Sequence, residues 1–258
     1  MPSAMSRARK TLSQNFLVDA AAADRLVRSA GVTRDDLVVE IGPGDGMLTR
    51  RLLASAGRVS AYEKDPHWAA KLARRYASEP RIMVHHNDIR DVRPPTEPFM
   101  VVANIPFGVS TAIVRWCLAA PHLTSATLLT QLEFARKHSG DYGRWSKLTV
   151  SQWPWTAVSL GLRVPRGGFR PVPSVDAAVL RLDRRPTPLL PHTAVPEYRR
   201  LVEIGFRGVG GSVRASLRRY FPARRVENAC AAAGIADGVP VGHVRPDAWV
   251  RLFEHLLR

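Results

Sequence analysis

A glycine-rich turn constrains the fold of this chain more than any other sequence feature. The segment E-I-G-P-G-D-G (residues 40–46) directly follows an apolar β-rich run at 37–41 and precedes a helical stretch at 47–56. Glycines let a ligand approach the backbone closely, and the following helix N-terminus offers unpaired N–H groups. The segment lacks the Gly-Lys-Ser/Thr of a P-loop, and its alternating glycines do not match G-x-G-x-x-G. It therefore predicts a ligand-binding turn, with a purely structural strand-to-helix turn as the alternative.

Strand and helix patterns alternate along most of the chain. Short apolar, β-rich runs are separated by helical stretches, which predicts an α/β fold with a mostly parallel sheet covered on both faces. The last two runs flank a Gly/Pro-rich turn, and they predict an antiparallel hairpin at the edge of this seven-stranded sheet. The predicted strands are 37–41, 58–62, 81–86, 99–104, 125–130, 158–164 and 177–183.

Composition shifts predict the domain boundaries. Residues 1–13 carry three bases among small polar residues and predict a flexible basic arm or a frayed terminus. Residues 14–183 form the predicted α/β domain, and the proline-rich segment 184–196 is the predicted linker. The remaining residues, 197–258, predict a small all-helical domain. Its arginines are consistent with an RNA-binding flank or with a solvated helical cap.

The charge balance indicates a polyanionic partner. Lys and Arg total 38 against 22 Asp and Glu, a formal net charge of +16, which favours nucleic-acid binding. The isolated Cys117 and Cys230 and the adjacent His85 and His86 lack metal-ligand spacing, so we expect no metal. No leader-like segment and no apolar run of about 18 residues is present. We therefore expect a soluble cytoplasmic protein without a membrane partner.

Two acidic residues stand where adjacent parallel strands are predicted to end. Glu63 follows the second strand, where a carboxylate can accept hydrogen bonds from both hydroxyls of a ribose. Asp88 follows the third strand, where it could accept from an exocyclic adenine amine. Either acid alone would more often be an ordinary surface carboxylate. Together with the glycine turn they outline an adenosine-shaped crevice.

The segment Asn104-Ile105-Pro106-Phe107 directly follows the fourth predicted strand. It resembles the catalytic loop of S-adenosylmethionine-dependent amino-methyltransferases that act on adenine N6 or cytosine N4. An asparagine side-chain oxygen and a backbone carbonyl could each accept one amine proton and aim the nitrogen lone pair at a methyl carbon. Proline would stiffen such a loop, and the phenylalanine ring could stack on an extruded base. The alternative is a structural turn with a core phenylalanine.

The resemblance extends over nearly the whole chain, to the ribosomal-RNA adenine N6-methyltransferases. One branch of that family dimethylates adenines of small-subunit RNA, and the other is the erythromycin-resistance (Erm) group, which methylates 23S RNA. N-I-P-F-G-V-S-T and T-Q-L-E-F-A-R-K look more like the Erm group. The motifs that occur in the family's order are Q-N-F-L (14–17), E-I-G-P-G (40–44), the acid at 63, N-D (87–88), N-I-P-F (104–107), T-Q-L-E-F-A-R-K (130–137) and F-R-P-V-P-S-V-D (169–176).

The resemblance implies a Rossmann-like class I methyltransferase domain that uses S-adenosylmethionine, releases S-adenosylhomocysteine and needs no metal. The implied reaction adds one or two methyl groups to N6 of a flipped adenine in 23S rRNA and confers macrolide, lincosamide and streptogramin B resistance. A monomer acting before full subunit assembly is expected. Two alternatives remain: the housekeeping 16S rRNA dimethyltransferase, and a non-catalytic nucleic-acid-binding factor.

The resemblance also implies roles for individual residues. The catalytic set is Asn104, Ile105, Pro106 and Phe107. The cofactor set is Gln14, Asn15, Leu17, Gly42, Gly44, Glu63, Lys64, Asp88, Ile89 and Asn104. The set for the target base and the RNA is Phe107, Phe169, Arg136, Lys137, Arg218 and Arg219. Gly108 stands where the family more often has Asn, a departure that bears on loop rigidity and on the number of methyl groups transferred.

Overall fold

The computed structural model describes residues 15–208 and 211–257, and these form two compact units. Unit 1 comprises the described residues up to 135 together with 160–183, and unit 2 comprises the described residues of 136–159 and 184–258. The predicted basic arm at 1–13 and the predicted cofactor residue Gln14 lie outside the described residues.

Strands and helices alternate through most of the chain. The strands are β1 (Phe16–Leu17), β2 (Leu37–Ile41), β3 (Arg58–Glu63), β4 (Ile82–His86), β5 (Phe99–Asn104), β6 (Leu123–Gln131), β7 (Thr156–Val164), β8 (Phe169–Arg170) and β9 (Ala177–Arg184). The α-helices are α1 (Ala20–Ala30), α2 (Thr49–Ser55), α3 (Pro66–Arg75), α4 (Ser110–Ala119), α5 (Leu132–Ser139), α6 (Lys147–Gln152), α7 (Val195–Phe206), α8 (Val213–Leu217), α9 (Ala223–Ala232) and α10 (Pro246–Leu257).

A seven-stranded sheet runs in the order β4-β3-β2-β5-β6-β9-β7. Neighbouring strands from β4 to β6 are parallel, and β9 pairs antiparallel with β6. Every residue of β2 is buried, as expected for a central parallel strand covered on both faces. The predicted α/β fold with an antiparallel edge is thus confirmed. The strand order reverses at β2 and β5, and open α/β sheets bind ligands at such a switch point.

Local capping explains where the helices of unit 1 begin and end. Asp19 accepts a hydrogen bond from the Ala22 N–H at 2.9 Å, and Gly31 closes α1 in the left-handed conformation. Ser110 is the first residue of α4 but does not cap the helix, because Val109 occupies the N-cap position. The Ser110 hydroxyl bonds instead to the Phe107 carbonyl oxygen (3.1 Å) and to the Thr130 hydroxyl (2.8 Å). It therefore ties the loop after β5 to the neighbouring strand.

Unit 2 is organised around a core of buried aromatic and aliphatic side chains that includes Trp249. Its bounds differ from the predicted helical domain, since residues 136–159 also belong to it. Trp155 is buried in this core, and its indole N–H donates to the Leu190 carbonyl oxygen at 3.0 Å. The segment 184–196, predicted as a linker, packs into the same unit because Leu190 is buried there.

Candidate active site

A cavity of about 340 Å³ opens at the carboxyl ends of the central strands of unit 1. Its walls come from the glycine turn after β2, the ends of β3 and β5, and the loops that follow β4 and β5. The lining residues are Asn15, Phe16, Ile41, Gly42, Gly44, Tyr62, Glu63, Lys64, Asn87, Asp88, Ile89, Arg90, Asn104, Ile105, Pro106, Gly108, Val109 and Ile113. Most of the residues predicted for a cofactor therefore come together in one place.

The glycine turn forms the floor of the cavity through left-handed backbone. Gly42 and Gly44 have φ values of +67° and +55°, a region that side chains other than glycine rarely occupy. A Cβ atom on Gly44 would lie 2.7 Å from Cε1 of Phe16. Glycine is thus required at position 44 both for its conformation and for the ring that packs over it.

Glu63 is buried at the end of β3 and holds two backbone N–H groups. Its Oε2 accepts from Gly44 N at 3.0 Å, and its Oε1 accepts from Asp65 N at 2.9 Å. Burial raises the pKa of the Glu63 carboxyl. Each carboxylate oxygen has two lone pairs, so both can accept a further hydrogen bond from a ligand hydroxyl.

Asp88 already has a full set of donors. Its Oδ1 accepts from the Arg90 backbone N–H (3.1 Å) and from Arg90 Nε (3.0 Å). Its Oδ2 accepts from Arg90 Nη2 (2.6 Å) and lies 3.0 Å from Lys64 Nζ. The Arg90 guanidinium holds the pKa of the Asp88 carboxyl well below its usual range. A carboxylate offers about four lone-pair sites, so the predicted contact with an adenine amine requires one of these cations to move.

Asn104 is the last residue of β5, and the nitrogen and oxygen of its side-chain amide differ in their hydrogen bonding. Its Nδ2 donates to the Asn15 carbonyl oxygen at 2.9 Å. Its Oδ1 is buried and has no hydrogen-bond partner among the described residues. Such a buried acceptor is costly unless it serves a ligand. Among the residues that line the cavity, Asn104 therefore carries the polar atom that most clearly lacks a hydrogen-bond donor.

The residues after Asn104 form a supported loop. Ile105 N donates to the Leu129 carbonyl oxygen at 3.0 Å, which continues the pairing of β5 with β6. Pro106 lies 3.8 Å from the position of a Cβ on Gly42, so this loop and the glycine turn are close neighbours. Phe107 is half-buried and meets the Phe169 ring edge-on, with centroids 6.3 Å apart.

Two predicted site residues lie in the apolar core. Leu17 is 3% exposed, pairs with Phe169 between β1 and β8, and does not line the cavity. Phe169 is 0% exposed, so it offers no open face to a base in this structure. Its ring contacts Phe107. Ile89 is also buried, but it lines the cavity.

Several cavity residues were missed from the sequence. Phe16, Tyr62, Asn87 and Arg90 all line the cavity, and each is adjacent to or two residues from a predicted residue. Tyr62 also stacks on the ring of His85 at 4.5 Å. The signal that could have found them is proximity to a strand end, because neighbours of a site residue share the same edge of the sheet.

Glu40 is a further buried acid of this region. Its Oε2 accepts from the Thr49 hydroxyl at 2.7 Å. Burial, reinforced by the charge of Glu63, raises the pKa of Glu40 to about 8. Through this hydrogen bond, Glu40 ties the start of α2 to β2.

The basic residues predicted to contact RNA lie in unit 2. Arg136 stacks over the Tyr142 ring at 4.0 Å, and Lys137 is exposed. Arg218 pairs with Glu227 at 2.7 Å, whereas Arg219 is exposed.

Among residues 15–208 and 211–257, no group of three or more His, Cys, Asp or Glu side chains could hold a metal ion. Likewise, no helix in that part of the chain has both the length and the apolar character needed to span a membrane.

Comparison with known proteins assigns the chain to a family. The family model "Ribosomal RNA adenine dimethylase" matches residues 5–257. An rRNA adenine N-6-methyltransferase from Saccharopolyspora erythraea is 48% identical over 250 residues, which cover 97% of this chain and 66% of that protein. An rRNA methyltransferase from Streptomyces thermotolerans is 50% identical over 250 residues, covering 97% of this chain and 84% of the relative.

A solved structure agrees with this assignment. The crystal structure of the 23S rRNA methyltransferase ErmE matches with a TM-score of 0.89 and 48% identity, covering 95% of this chain and 100% of that chain. The chain belongs to the ribosomal RNA adenine dimethylase family.

Proposed function

We propose that this chain transfers a methyl group from S-adenosylmethionine to N6 of an adenine in 23S rRNA, and so confers resistance to macrolide, lincosamide and streptogramin B antibiotics. Membership of the family and the likeness to ErmE over nearly the whole chain support this function. The chain spans about two thirds of the Saccharopolyspora relative and 84% of the Streptomyces one.

The observation that carries the proposal is the unpartnered, buried Oδ1 of Asn104. The lone pair of an exocyclic adenine amine is delocalised into the ring, so the amine is a weak nucleophile. In the proposed mechanism, Oδ1 of Asn104 and the carbonyl oxygen of Ile105 each accept one N6 proton. This orients the nitrogen lone pair, and catalysis then rests on alignment and on fixed dipoles rather than on a strong base.

The amide of Asn104 is held in position for this role. Its Nδ2 donates a hydrogen bond to the Asn15 carbonyl oxygen, which restrains the whole side-chain amide. The backbone that follows is anchored at Ile105 to the neighbouring strand and at Ser110 to Thr130. A preorganised acceptor needs no reorganisation as charge develops on the amine.

The cavity fits the proposed cofactor. The backbone of Gly42 and Gly44 lines the cavity, and the free lone pairs of Glu63 suit the two hydroxyls of a ribose. Asn15, Lys64 and Ile89 complete the wall. When bound, S-adenosylmethionine supplies an activated methyl carbon. The role of this chain is to bind it, exclude water and orient the amine.

The target base must leave its stack to bring its amine to the residues that line the cavity. Base-modifying enzymes extrude the nucleotide and hold it against an aromatic ring. Phe107 is a half-buried ring three residues after Asn104, and Phe169 meets its edge from the core. Extrusion is easiest from accessible RNA, so we also propose that the enzyme acts on 23S RNA before the subunit is fully assembled. We further propose that it does so as a cytoplasmic monomer.

Basic residues of unit 2 provide the proposed contacts with RNA. Arg136, Lys137, Arg218 and Arg219 lie in this unit, and phosphate contacts from such side chains position an RNA without reading its sequence. An ion pair like that of Arg218 with Glu227 is exposed, so a phosphate can replace the carboxylate at low cost.

Resistance in a living cell tests the biological part of the proposal. The chain is expressed in a bacterium susceptible to all three drug classes, with Asn104→Ala as the matched inactive control. We expect growth in macrolide, lincosamide and streptogramin B for the wild type only. Equal susceptibility of both strains, with the protein present in each, would contradict the proposal.

A further inference from the structure

We propose that Trp68 is a positioning residue: it holds Phe16 against the glycine turn and thereby closes the cofactor end of the cavity. The inference rests on the proposed function, because it takes the cavity as the S-adenosylmethionine site. Phe16 lines the cavity, whereas Trp68 is not among the lining residues. Trp68 therefore acts through Phe16.

Phe16 covers the turn at contact distance. A Cβ on Gly44 would lie 2.7 Å from Cε1 and 3.0 Å from Cδ1 of the Phe16 ring. The ring thus lies directly over the glycine whose N–H donates to Glu63. A ring in this place shields the turn and one wall of the cavity from water.

Hydrogen bonds on both sides of Phe16 hold its backbone. The Asn15 carbonyl oxygen accepts from Asn104 Nδ2 at 2.9 Å, and the Val18 N–H donates to the Gly168 carbonyl oxygen at 2.8 Å. The strand β1 itself pairs with the two residues of β8. These bonds fix the backbone, whereas the orientation of the Phe16 ring depends on its side-chain contacts.

Trp68 supplies such a contact. The centroids of the Trp68 and Phe16 rings are 5.0 Å apart, with the planes inclined at 52°. The Trp68 ring is itself fixed within α3, since Lys71 Nζ lies 4.6 Å from its centroid and His67 meets its edge at 5.3 Å. A cation over an aromatic face restrains the ring.

The contact between Phe16 and Trp68 also connects the two segments whose backbone N–H groups bind Glu63. Glu63 accepts one N–H from Gly44, beneath Phe16, and the other from Asp65, which caps the helix that carries Trp68. The Glu63 carboxylate joins the glycine turn to the start of α3 through hydrogen bonds, and the Phe16 and Trp68 rings join the same two segments through their contact. Cofactor held between them restrains both, so Trp68 senses occupancy of the cavity.

Kinetics and fluorescence together test the role. Aromatic pairs contribute about 2- to 10-fold in equilibrium terms, so Trp68→Ala raises KM for S-adenosylmethionine by roughly that factor while kcat stays close to wild type. Trp68→Phe keeps a ring and restores KM. Titration with S-adenosylmethionine changes the tryptophan emission of the wild type, and this change is absent in Trp68→Phe.

Trp116 gives a matched control in the same unit. Its indole N–H donates to the Val92 carbonyl oxygen at 2.8 Å and its ring meets Phe99, so Trp116→Phe keeps both KM and the emission change. If Trp68→Ala does not fold, Lys71→Ala replaces it, because it loosens the Trp68 ring without removing it.

Distinct results separate the two claims. An unchanged KM in a folded Trp68→Ala, or an emission change that survives in Trp68→Phe, overturns the role of Trp68 alone. A lower melting temperature with unchanged KM shows a merely structural residue and also overturns it. Failure of the wild type to bind S-adenosylmethionine refutes the proposed function and this inference with it.

Discussion

Replacing Asn104 with alanine separates catalysis from cofactor binding and from stability. The change removes a buried oxygen without a partner and a 2.9 Å hydrogen bond from Nδ2 to the Asn15 carbonyl oxygen. It leaves the glycine turn and Glu63 intact. We therefore expect methyl transfer to fail while the affinity for S-adenosylmethionine stays near that of the wild type.

The magnitudes follow from the two groups of the amide. Loss of one preorganised acceptor costs about 10²- to 10³-fold in kcat, roughly 3–4 kcal/mol. Loss of the Nδ2 bond costs about 0.5–1.5 kcal/mol of stability, and removal of an unpaired buried oxygen returns about 1–3 kcal/mol. The net change in the free energy of unfolding lies between a loss of about 0.5 and a gain of about 2.5 kcal/mol. The inactive variant thus melts close to or above the wild type.

Three measurements on the same preparation decide this prediction. Single-turnover transfer of a labelled methyl group to RNA gives the rate, calorimetric titration gives the affinity for S-adenosylmethionine, and thermal unfolding gives the stability. Asn87→Ala, which removes an exposed amide from the same cavity, keeps its kcat and serves as the control. Equal loss of rate and cofactor affinity in Asn104→Ala, or a rate near wild type, would refute the assigned role.

Three other substitutions test neighbouring parts of the account. Gly44→Ala costs about 1–2 kcal/mol because alanine disfavours left-handed backbone. It also displaces the Phe16 ring, so it raises KM for S-adenosylmethionine in steady-state assays. The control Gly31→Ala has a similar φ and open space around the new Cβ, so it lowers the melting temperature but not the affinity for the cofactor. Arg90→Gln frees an acceptor on the Asp88 carboxylate and lowers the calorimetric Kd for S-adenosylmethionine about 2- to 10-fold. A higher Kd would contradict the idea that Arg90 competes with the cofactor for Asp88. Arg218→Gln combined with Arg219→Gln flattens the salt dependence of RNA binding by about one unit of slope per lost phosphate contact, and an unchanged slope removes these residues from the RNA interface.

The parts of the site that follow from strand periodicity could be predicted from sequence. Glu63, Asp88 and Asn104 each end or follow a parallel strand, and the carboxyl ends of such strands meet at one edge of the sheet. The glycine turn and the two acids therefore converge on one cavity wherever the sheet is correctly assigned.

The positions of Leu17 and Phe169 could not be predicted in this way. They face each other across a pairing of two two-residue strands that are distant in sequence. Such short strands carry no alternation from which to read the buried face. A family motif marks these residues as part of a site, but it does not say whether they touch the ligand or support it.

Two other features depend on long-range packing. The Asp88 carboxylate pairs with Arg90 and also with Lys64, which follows the neighbouring strand β3. No local sequence pattern shows that both cations reach this one carboxylate. Residues 136–159 join the helical unit because Trp155 is buried in its core. The apolar pattern around Trp155 suits either unit equally well.

The location of the transferred methyl group tests the central claim most directly. The purified chain is incubated with S-adenosylmethionine and either naked, unmodified 23S RNA or small ribosomal subunits, and methylated oligonucleotides are then identified by mass spectrometry. We predict one or two methyl groups on N6 of a single adenine in the drug-binding region of the naked 23S RNA, and none on the small subunit. Methylation of the small subunit alone would instead identify a housekeeping enzyme, and transfer to neither RNA would contradict the account.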